Sequence, residues 1–218
     1  MDMTTHLTAN PLETGGDELE RYALEECVKR QRIDHRVSVL VISDKRCETA
    51  PKFAALGADV LIADLPEFAQ EIEGRILASG RREQIAYLPT TLQTLPAELP
   101  GQPFDIIYIR RGVCGLRYPD AREVIHALKQ RLRIGGKLYL SVLGLHSELG
   151  HGYADAEQPI EQRFAELAPA LREKYGIRQP VCLYSERNLF MLLLEAGTSV
   201  LLTLTTTYGN VKGIAVRV

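Results

Sequence analysis

The chain has 218 residues, 45% of them hydrophobic and 25% charged, so a single domain can bury most of its apolar surface without disulfides or metals. Its formal net charge of −2 gives no bulk attraction to nucleic acid or membrane, and a charged ligand would need a local patch. No apolar run reaches the roughly 20 residues that cross a bilayer.

Four cysteines, Cys27, Cys47, Cys114 and Cys182, are widely spaced without a CxxC pair; they read as small hydrophobes in a reducing compartment, not as metal ligands. Residues 1 to 16 are polar and end in Gly15-Gly16, which predicts a mobile arm. They show no basic stretch followed by an apolar one, so no secretory signal is expected and the cytoplasm is the expected location. "DELERYALEECVKRQR" follows as an amphipathic helix. Asp17 is its expected cap and Leu19, Ala23 and Cys27, with Leu24 and Val28, form its apolar stripe. That helix is expected either to cover a crevice or to dock on a partner, a second copy included.

"RVSVLVIS" is a continuous apolar run rich in β-branched residues, the pattern of a strand buried on both faces. "ETAPKFAALG" predicts a helix with Thr49 as cap, Pro51 in the first turn and Gly57 as its stop. "ADVLIAD" predicts the second strand and "LPEFAQEIEGRILASG" a helix closed by Gly80. "QIAYLPT" is the third strand, "LQTLPAELPGQP" a loop, and "FDIIYIR" the fourth strand. "YPDAREVIHALKQRLRIGG" predicts a helix with Val124, Ile125, Leu128 and Leu132 as its stripe and paired glycines at its end. "KLYLSVLGL" is the fifth strand, followed by the polar, glycine-bearing loop "HSELGHGYADAEQP". "IEQRFAELAPALREKYG" and "SERNLFMLLLEAG" are helices, the second capped by Ser185 and stopped by Gly197. "TSVLLTLTTTYGNVKGIAVRV" predicts a terminal hairpin turning at "YGN". Strands alternating with helices imply an α/β fold whose mostly parallel sheet is covered on both faces, with the final pair antiparallel. The expected organisation is an arm and helix over residues 1–35 and one domain over 36–218.

This order resembles the class I S-adenosylmethionine-dependent methyltransferases, which have a Rossmann-like, seven-stranded sheet with a C-terminal antiparallel hairpin. Three segments carry the resemblance: "FDIIYIRRGVCGLRYPDAREVIHALKQRLRIGGKLYLSVL", "GADVLIAD", and "SERNLFMLLLEAG" with the β-rich runs after it. The resemblance covers Val37 to Val218. It implies S-adenosylmethionine as cofactor, held by a glycine-rich turn after the first strand. In this chain the turn is "SDKRCE". The family's glycine positions fall on Ser43, Lys45 and Cys47, and its acidic position on Val41. All four departures add bulk or remove charge where a ligand must approach. Lys45 and Arg46 would repel a sulfonium, although they could pair with its carboxylate.

Asp64, at the carboxyl end of the second strand, is the residue that can accept two ribose hydroxyls, with Leu65 beside it; the same acid could instead cap the next helix. Thr90 and Thr91 stand where the family often places an acid near the adenine, and Leu92 where a backbone amide meets the ring. Lys45, Arg46, Arg110, Arg111 and Arg117 leave the first and fourth strands toward one crevice. With the N-terminus of the helix after Glu48 they could form an anion site for a nucleotide or phosphorylated metabolite, partly offset by Asp44 and Glu48.

The candidate bases are His146 and His151, with Glu148 and Tyr153 nearby. No third ligand accompanies the histidines, so no metal is expected. No NPPY-type stretch follows the fourth strand, and neither Ser141 nor Ser147 sits in a G-x-S-x-G elbow. Three readings stand: a methyltransferase with a diverged cofactor loop, a non-catalytic methyltransferase-fold partner or regulatory subunit, and a binder of an anionic ligand.

Overall fold

The computed structural model describes residues 18–44 and 46–218. The expected arm, the Asp17 cap and Lys45 lie outside the described residues. Seven strands, β1 (Ser38–Ile42), β2 (Asp59–Asp64), β3 (Ile85–Pro89), β4 (Phe104–Arg110), β5 (Leu132–Val142), β6 (Ser199–Thr205) and β7 (Val211–Val216), form one sheet in the order β3-β2-β1-β4-β5-β7-β6. β1 to β5 pair in parallel, whereas β7 runs antiparallel to both β5 and β6. The chain reverses direction across the sheet between β1 and β4, so the ends of those strands open onto the same side. Ligands of open α/β sheets bind there.

Two apolar layers flank the sheet. One holds α1 (Glu18–Arg30), α2 (Ala50–Ala55) and α3 (Ala69–Ala78) through Ala23, Phe53 and Ile72. The other holds α4 (Leu95–Glu98), α5 (Tyr118–Gln130), α6 (Pro169–Tyr175) and α7 (Glu186–Glu195) through Leu95, Ile125, Leu171 and Leu189. With both faces covered, the inner strands have no wet side, which is why β1 reads as an apolar run over Val39–Ile42 and β4 over Ile106–Ile109.

Several boundaries differ from expectation. The predicted loop after β3 contains the single turn α4, carried by Leu95, whose side chain is fully buried. α5 stops at Gln130. Leu132 is the first residue of β5, opposite Phe104, and Gly135-Gly136 lies inside that strand where the register with β4 slips. A side chain at Gly136 would sit 2.8 Å from the Arg133 carbonyl, so the bulge there needs glycine. The helix expected from Ile160 begins only at Pro169. Proline's ring disfavours the helical conformation of the residue before it, and Ala168 is extended. Ser185 forms a full capping box with Asn188, and Gly197 takes a left-handed φ of 80°, both as the sequence implies.

α1 spends most of its apolar stripe on its own sheet, with Leu19, Ala23 and Cys27 buried, whereas Val28 at the edge of that stripe is exposed. Its buried Glu26 accepts hydrogen bonds from Arg30 Nε at 2.6 Å and Lys137 Nζ at 2.7 Å. Burial pushes the Glu26 carboxyl up, but the bonds from Lys137 and Arg30 together outweigh it and hold the group below its ordinary value of 4.5. A lowered folded value means the unfolded chain binds the proton more readily. The stabilisation is therefore present above about pH 4.5 and is lost as pH falls through the folded value. Glu26→Gln is expected to cost about 1–3 kcal/mol at pH 7, and the gap to wild type should close in acid. Urea midpoints at pH 7 and pH 4 check this; a gap independent of pH would contradict it.

Candidate functional site

The first strand delivers the chain to the crevice at Ile42, and there the backbone turns left-handed. Ser43 has φ 63° and Cys47 φ 48°. These are two of the three positions onto which the glycines of the resembled family fall. The loop thus keeps a glycine-like path with side chains on it, each at a conformational cost of about 1–2 kcal/mol. Space is what has changed. A β-carbon on Gly112, in the turn after β4, would lie 2.5 Å from Ser43 Oγ, so Ser43 packs directly on Gly112 and brings the two strand ends into contact. Ser43→Gly is expected to relieve the strain and raise stability by about 0.5–1 kcal/mol. A melting temperature higher by about 1–4 °C would show it; a fall would mean that the packing outweighs the strain.

Asp44 fills the next part of the crevice. Only 2% exposed, its carboxylate accepts the amides of Glu48 at 3.2 Å, Thr49 at 3.0 Å and Ala50 at 3.1 Å. Asp44, not Thr49, is therefore the side chain that caps α2; Thr49 is itself helical and makes no capping bond. Burial pushes the Asp44 carboxyl above its ordinary value, against the pull of those amides and of Arg110. Arg110 Nη1 lies 3.9 Å from Asp44 Oδ1 and 3.6 Å from Glu48 Oε2, and Arg46 Nη1 lies 3.9 Å from Glu48 Oε1.

The expected convergence of cations is thus tempered by acids. The helix N-terminus proposed to receive an anion is already taken by Asp44. Arg117 stands 5.1 Å over the Phe164 ring, and Arg111, left-handed at φ 58°, donates its amide to Ser141. Cys47 is buried against the α2 side of the sheet, where burial pushes its thiol up to about 11.

Beside this closed region a cavity of about 180 Å³ remains. Ser43, Asp64, Leu65, Thr91 and Leu92 line it, with Gly112, Leu116 and Gln179 on the facing wall. Five of the eight residues expected to hold a cofactor therefore meet in one pocket. Cys47 and Arg110 do not line it, and Lys45 lies outside the described residues. Asp64 gives one carboxylate oxygen to the amide of Leu65 at 2.8 Å. The short 3-10 turn that follows it, Pro66–Phe68, has no side-chain cap, so helix capping does not account for Asp64. The Thr91 hydroxyl is 2.9 Å from that of Thr94, and Thr90 Oγ1 bonds Glu98, which ties both threonines into the turn before α4. Gln93 and Gln179 were not expected. Gln179 comes from an irregular segment that reaches the pocket because the Cys182 amide bonds the Cys114 carbonyl, a tertiary contact with no local signal.

No protein-family model matches the chain, and no curated protein sequence does. Solved structures match it in shape. The CcbJ methyltransferase from Streptomyces caelestis superposes with a TM-score of 0.66 at 12% identity, over 94% of this chain and 92% of its own. The glycopeptide N-methyltransferase MtfA, solved with S-adenosyl-L-homocysteine, gives 0.63 at 16% identity over 93% of this chain and 91% of its own. An O-methyltransferase family protein from Burkholderia thailandensis gives 0.62 at 13% identity over 91% of this chain.

This is the class I methyltransferase fold. At such identities the likeness is one of architecture, and the chain spans only 56% of the Burkholderia protein's length. The cofactor of this fold's enzymes joins a nucleoside to an amino acid through a sulfonium. The residues present do not fit all of it. The pocket at Asp64 falls below the roughly 300–1,000 Å³ usual for ligands of drug size. At the edge of the pocket Ser43 packs on Gly112, and the buried Asp44 occupies the amides at the start of α2. Val41, at the family's acidic position, is a fully buried core residue between Ile62 and Tyr108.

His146 and His151 are exposed and do not line the pocket. Glu148 accepts from Lys174 Nζ at 2.6 Å and from the Tyr175 hydroxyl, and the Tyr153 hydroxyl donates to the Val181 carbonyl. Both neighbours of the histidines are engaged in holding the loop. Among the described residues no cluster of three or more metal-ligating side chains occurs, and no helix is long and apolar enough to cross a membrane.

Proposed function

We propose that this chain is a methyltransferase-fold protein that binds S-adenosylmethionine weakly or not at all and acts without methyl transfer, as a partner or regulatory subunit. The observation that carries the reading is the contact of Ser43 with Gly112 beside Asp44, the cap of α2, because together they fill the end of β1 at the switch point, where the cofactor's amino-acid half would lie. The exposed positions of His146 and His151 support it, since neither is placed to take a proton from a substrate in the pocket. What survives is the pocket beside Asp64, and this separates the reading from complete loss of the site.

Thermal denaturation tests it. A site weaker than about 100 μM adds no more than about 1.4 kcal/mol at 1 mM ligand, whereas one of about 1 μM adds about 4 kcal/mol. For a chain of this size those values correspond to less than about 5 °C and more than about 8 °C. With 1 mM S-adenosylhomocysteine the shift is expected below 5 °C; one above 8 °C would overturn the proposal.

A further inference from the structure

We infer that the end of the molecule opposite the crevice is a docking surface for an anionic lipid bilayer, with Ile33 and Ile134 as the side chains that enter it. The inference concerns a separate face and stands whether or not the crevice admits a cofactor.

Charge is unevenly shared along the chain. Residues 29–37, 79–84, 129–137 and 216–218 hold eleven of its 26 lysines and arginines and only two of its 28 acids, Asp34 and Glu83. The sheet gathers these segments at one end. The first leads into β1 at Ser38 and the second into β3 at Ile85. The third spans the start of β5, and the fourth ends β7, whose Val216 lies opposite Lys137. They share the amino ends of the parallel strands, whereas the pocket lies at the carboxyl ends.

Three more carboxylates reach this end and are taken up within it. Asp59 lies 3.1 Å from Arg36, Glu26 holds Arg30 and Lys137, and Asp105 lies 3.4 Å from Arg133. Arg131 and Arg217 donate instead to the carbonyls of Pro96, Gln130 and Leu132, which do not cancel their charge. Arg32 and Arg82 are exposed. A chain of net charge −2 thus presents one cationic end, and a local patch of this kind attracts an anionic surface whatever the total charge.

Two isoleucines stand out from that end. Ile33 is fully exposed and Ile134 is 82% exposed. Ile33 sits on a tight turn closed by backbone bonds between Arg32 and His35 at 3.2 and 3.3 Å, where Gly, Asn or Asp is usual. Ile134 precedes the glycine bulge of β5. Both tips are tied to one buried acid, because Asp105 lies 3.1 Å from His35 Nε2 as well as against Arg133. Arg30 Nη2 also donates to the Gly135 carbonyl. Aliphatic tips held among arginines match the boundary of a bilayer: the isoleucines enter the acyl region while the guanidinium groups stay level with the phosphates. Nucleic acid would satisfy the charge, but the four segments contain no Phe, Tyr or Trp on which a base could stack.

The experiment is co-sedimentation of the full chain with vesicles of phosphatidylcholine alone and of phosphatidylcholine mixed equally with phosphatidylserine. At about 0.1 M NaCl the chain is expected to pellet with the mixed vesicles only, and at about 1 M, where charges are screened beyond about 3 Å, to be released. Arg32→Glu/Arg82→Glu should weaken the partition by more than about tenfold, since each cation near such a surface contributes about fivefold. Ile33→Ser/Ile134→Ser should weaken it by about tenfold, through loss of inserted apolar surface. Both variants change exposed side chains, so their melting temperatures should match wild type. Failure of the wild type to pellet with the mixed vesicles would overturn the inference. So would an unchanged partition of the isoleucine variant, which would mean adsorption by charge alone. A single-stranded oligonucleotide that binds wild type and the isoleucine variant alike, and strips the wild type from vesicles, would assign the face to nucleic acid and overturn it too.

Discussion

Asp44→Ala is expected to destabilise the protein by about 2–4 kcal/mol. The carboxylate accepts three backbone amides at the start of α2, and loss of a capping acid alone costs about 0.5–2 kcal/mol. The remainder arises because Arg110, only 17% exposed along its side chain, loses Asp44 as an acidic neighbour. Leaving a part-buried charge under-compensated costs more than the attraction it had supplied. The cost should stay below that of an isolated buried pair, because Glu48 remains within 3.6 Å of the guanidinium. For a chain of this length the melting temperature is expected to fall by roughly 5–15 °C. Asp44→Asn, which keeps an oxygen acceptor without the charge, should recover part of the loss. A change below about 1 °C in Asp44→Ala would show that Asp44 is an incidental occupant of the crevice, not the group that closes it.

Gly144→Ala is expected to be more damaging, at about 3–5 kcal/mol, for a reason independent of the crevice. A β-carbon at Gly144 would lie 1.5 Å from the Gly209 carbonyl oxygen. Gly209 cannot retreat: it holds a left-handed φ of 81°, and its own α-carbon faces Ser147, whose Cα lies 2.5 Å from where a β-carbon would sit. The obstacle is backbone on both sides, so no rotamer change relieves it. This contact locks the loop after β5 onto the β6–β7 turn, and Leu145 and Tyr184 extend the lock through backbone hydrogen bonds. Gly74→Ala is the matched comparison. It lies within α3 with nothing inside 4 Å of its would-be β-carbon, and it should gain about 0.5–1 kcal/mol from helix propensity. Denaturant midpoints of the two variants are expected to move in opposite directions; equal small shifts would contradict the packing argument.

The fold was legible wherever burial alone dictates the residue pattern. "VLVI" (Val39–Ile42) and "IIYI" (Ile106–Ile109) are apolar without interruption because β1 and β4 lie inside the sheet with both faces covered. Ser185 and Gly197 mark the ends of α7 because capping and left-handed stops are local chemistry. Pro169 could have corrected the helix drawn from Ile160, since its effect on Ala168 is equally local. The glycines at 135 and 136 were misplaced for a different reason. Their requirement comes from the register between β4 and β5, and a pair of glycines after a helix also reads as a stop.

The pocket's lining was legible in the sequence, and the contact of Ser43 with Gly112 was not. Ser43, Asp64, Leu65, Thr91 and Leu92 reach one pocket because strand ends in this topology converge. The capping role of Asp44 was hidden because the acid precedes the helix by six residues and reaches it only through the left-handed turn at Ser43 and Cys47. The contact with Gly112 was equally invisible, being made between strands some 70 residues apart in the chain. Two of the three residues at missing-glycine positions, Ser43 and Cys47, thus fold as glycines do, and their effect is to fill space.

The most direct test of this account is calorimetric titration of the full chain with S-adenosylmethionine. A dissociation constant weaker than about 100 μM, equivalent to less than about 5.5 kcal/mol of binding free energy, is the expected result. A low-micromolar constant would contradict it, because the cofactor's amino-acid half would then have to pass through the space that Ser43 and Asp44 occupy.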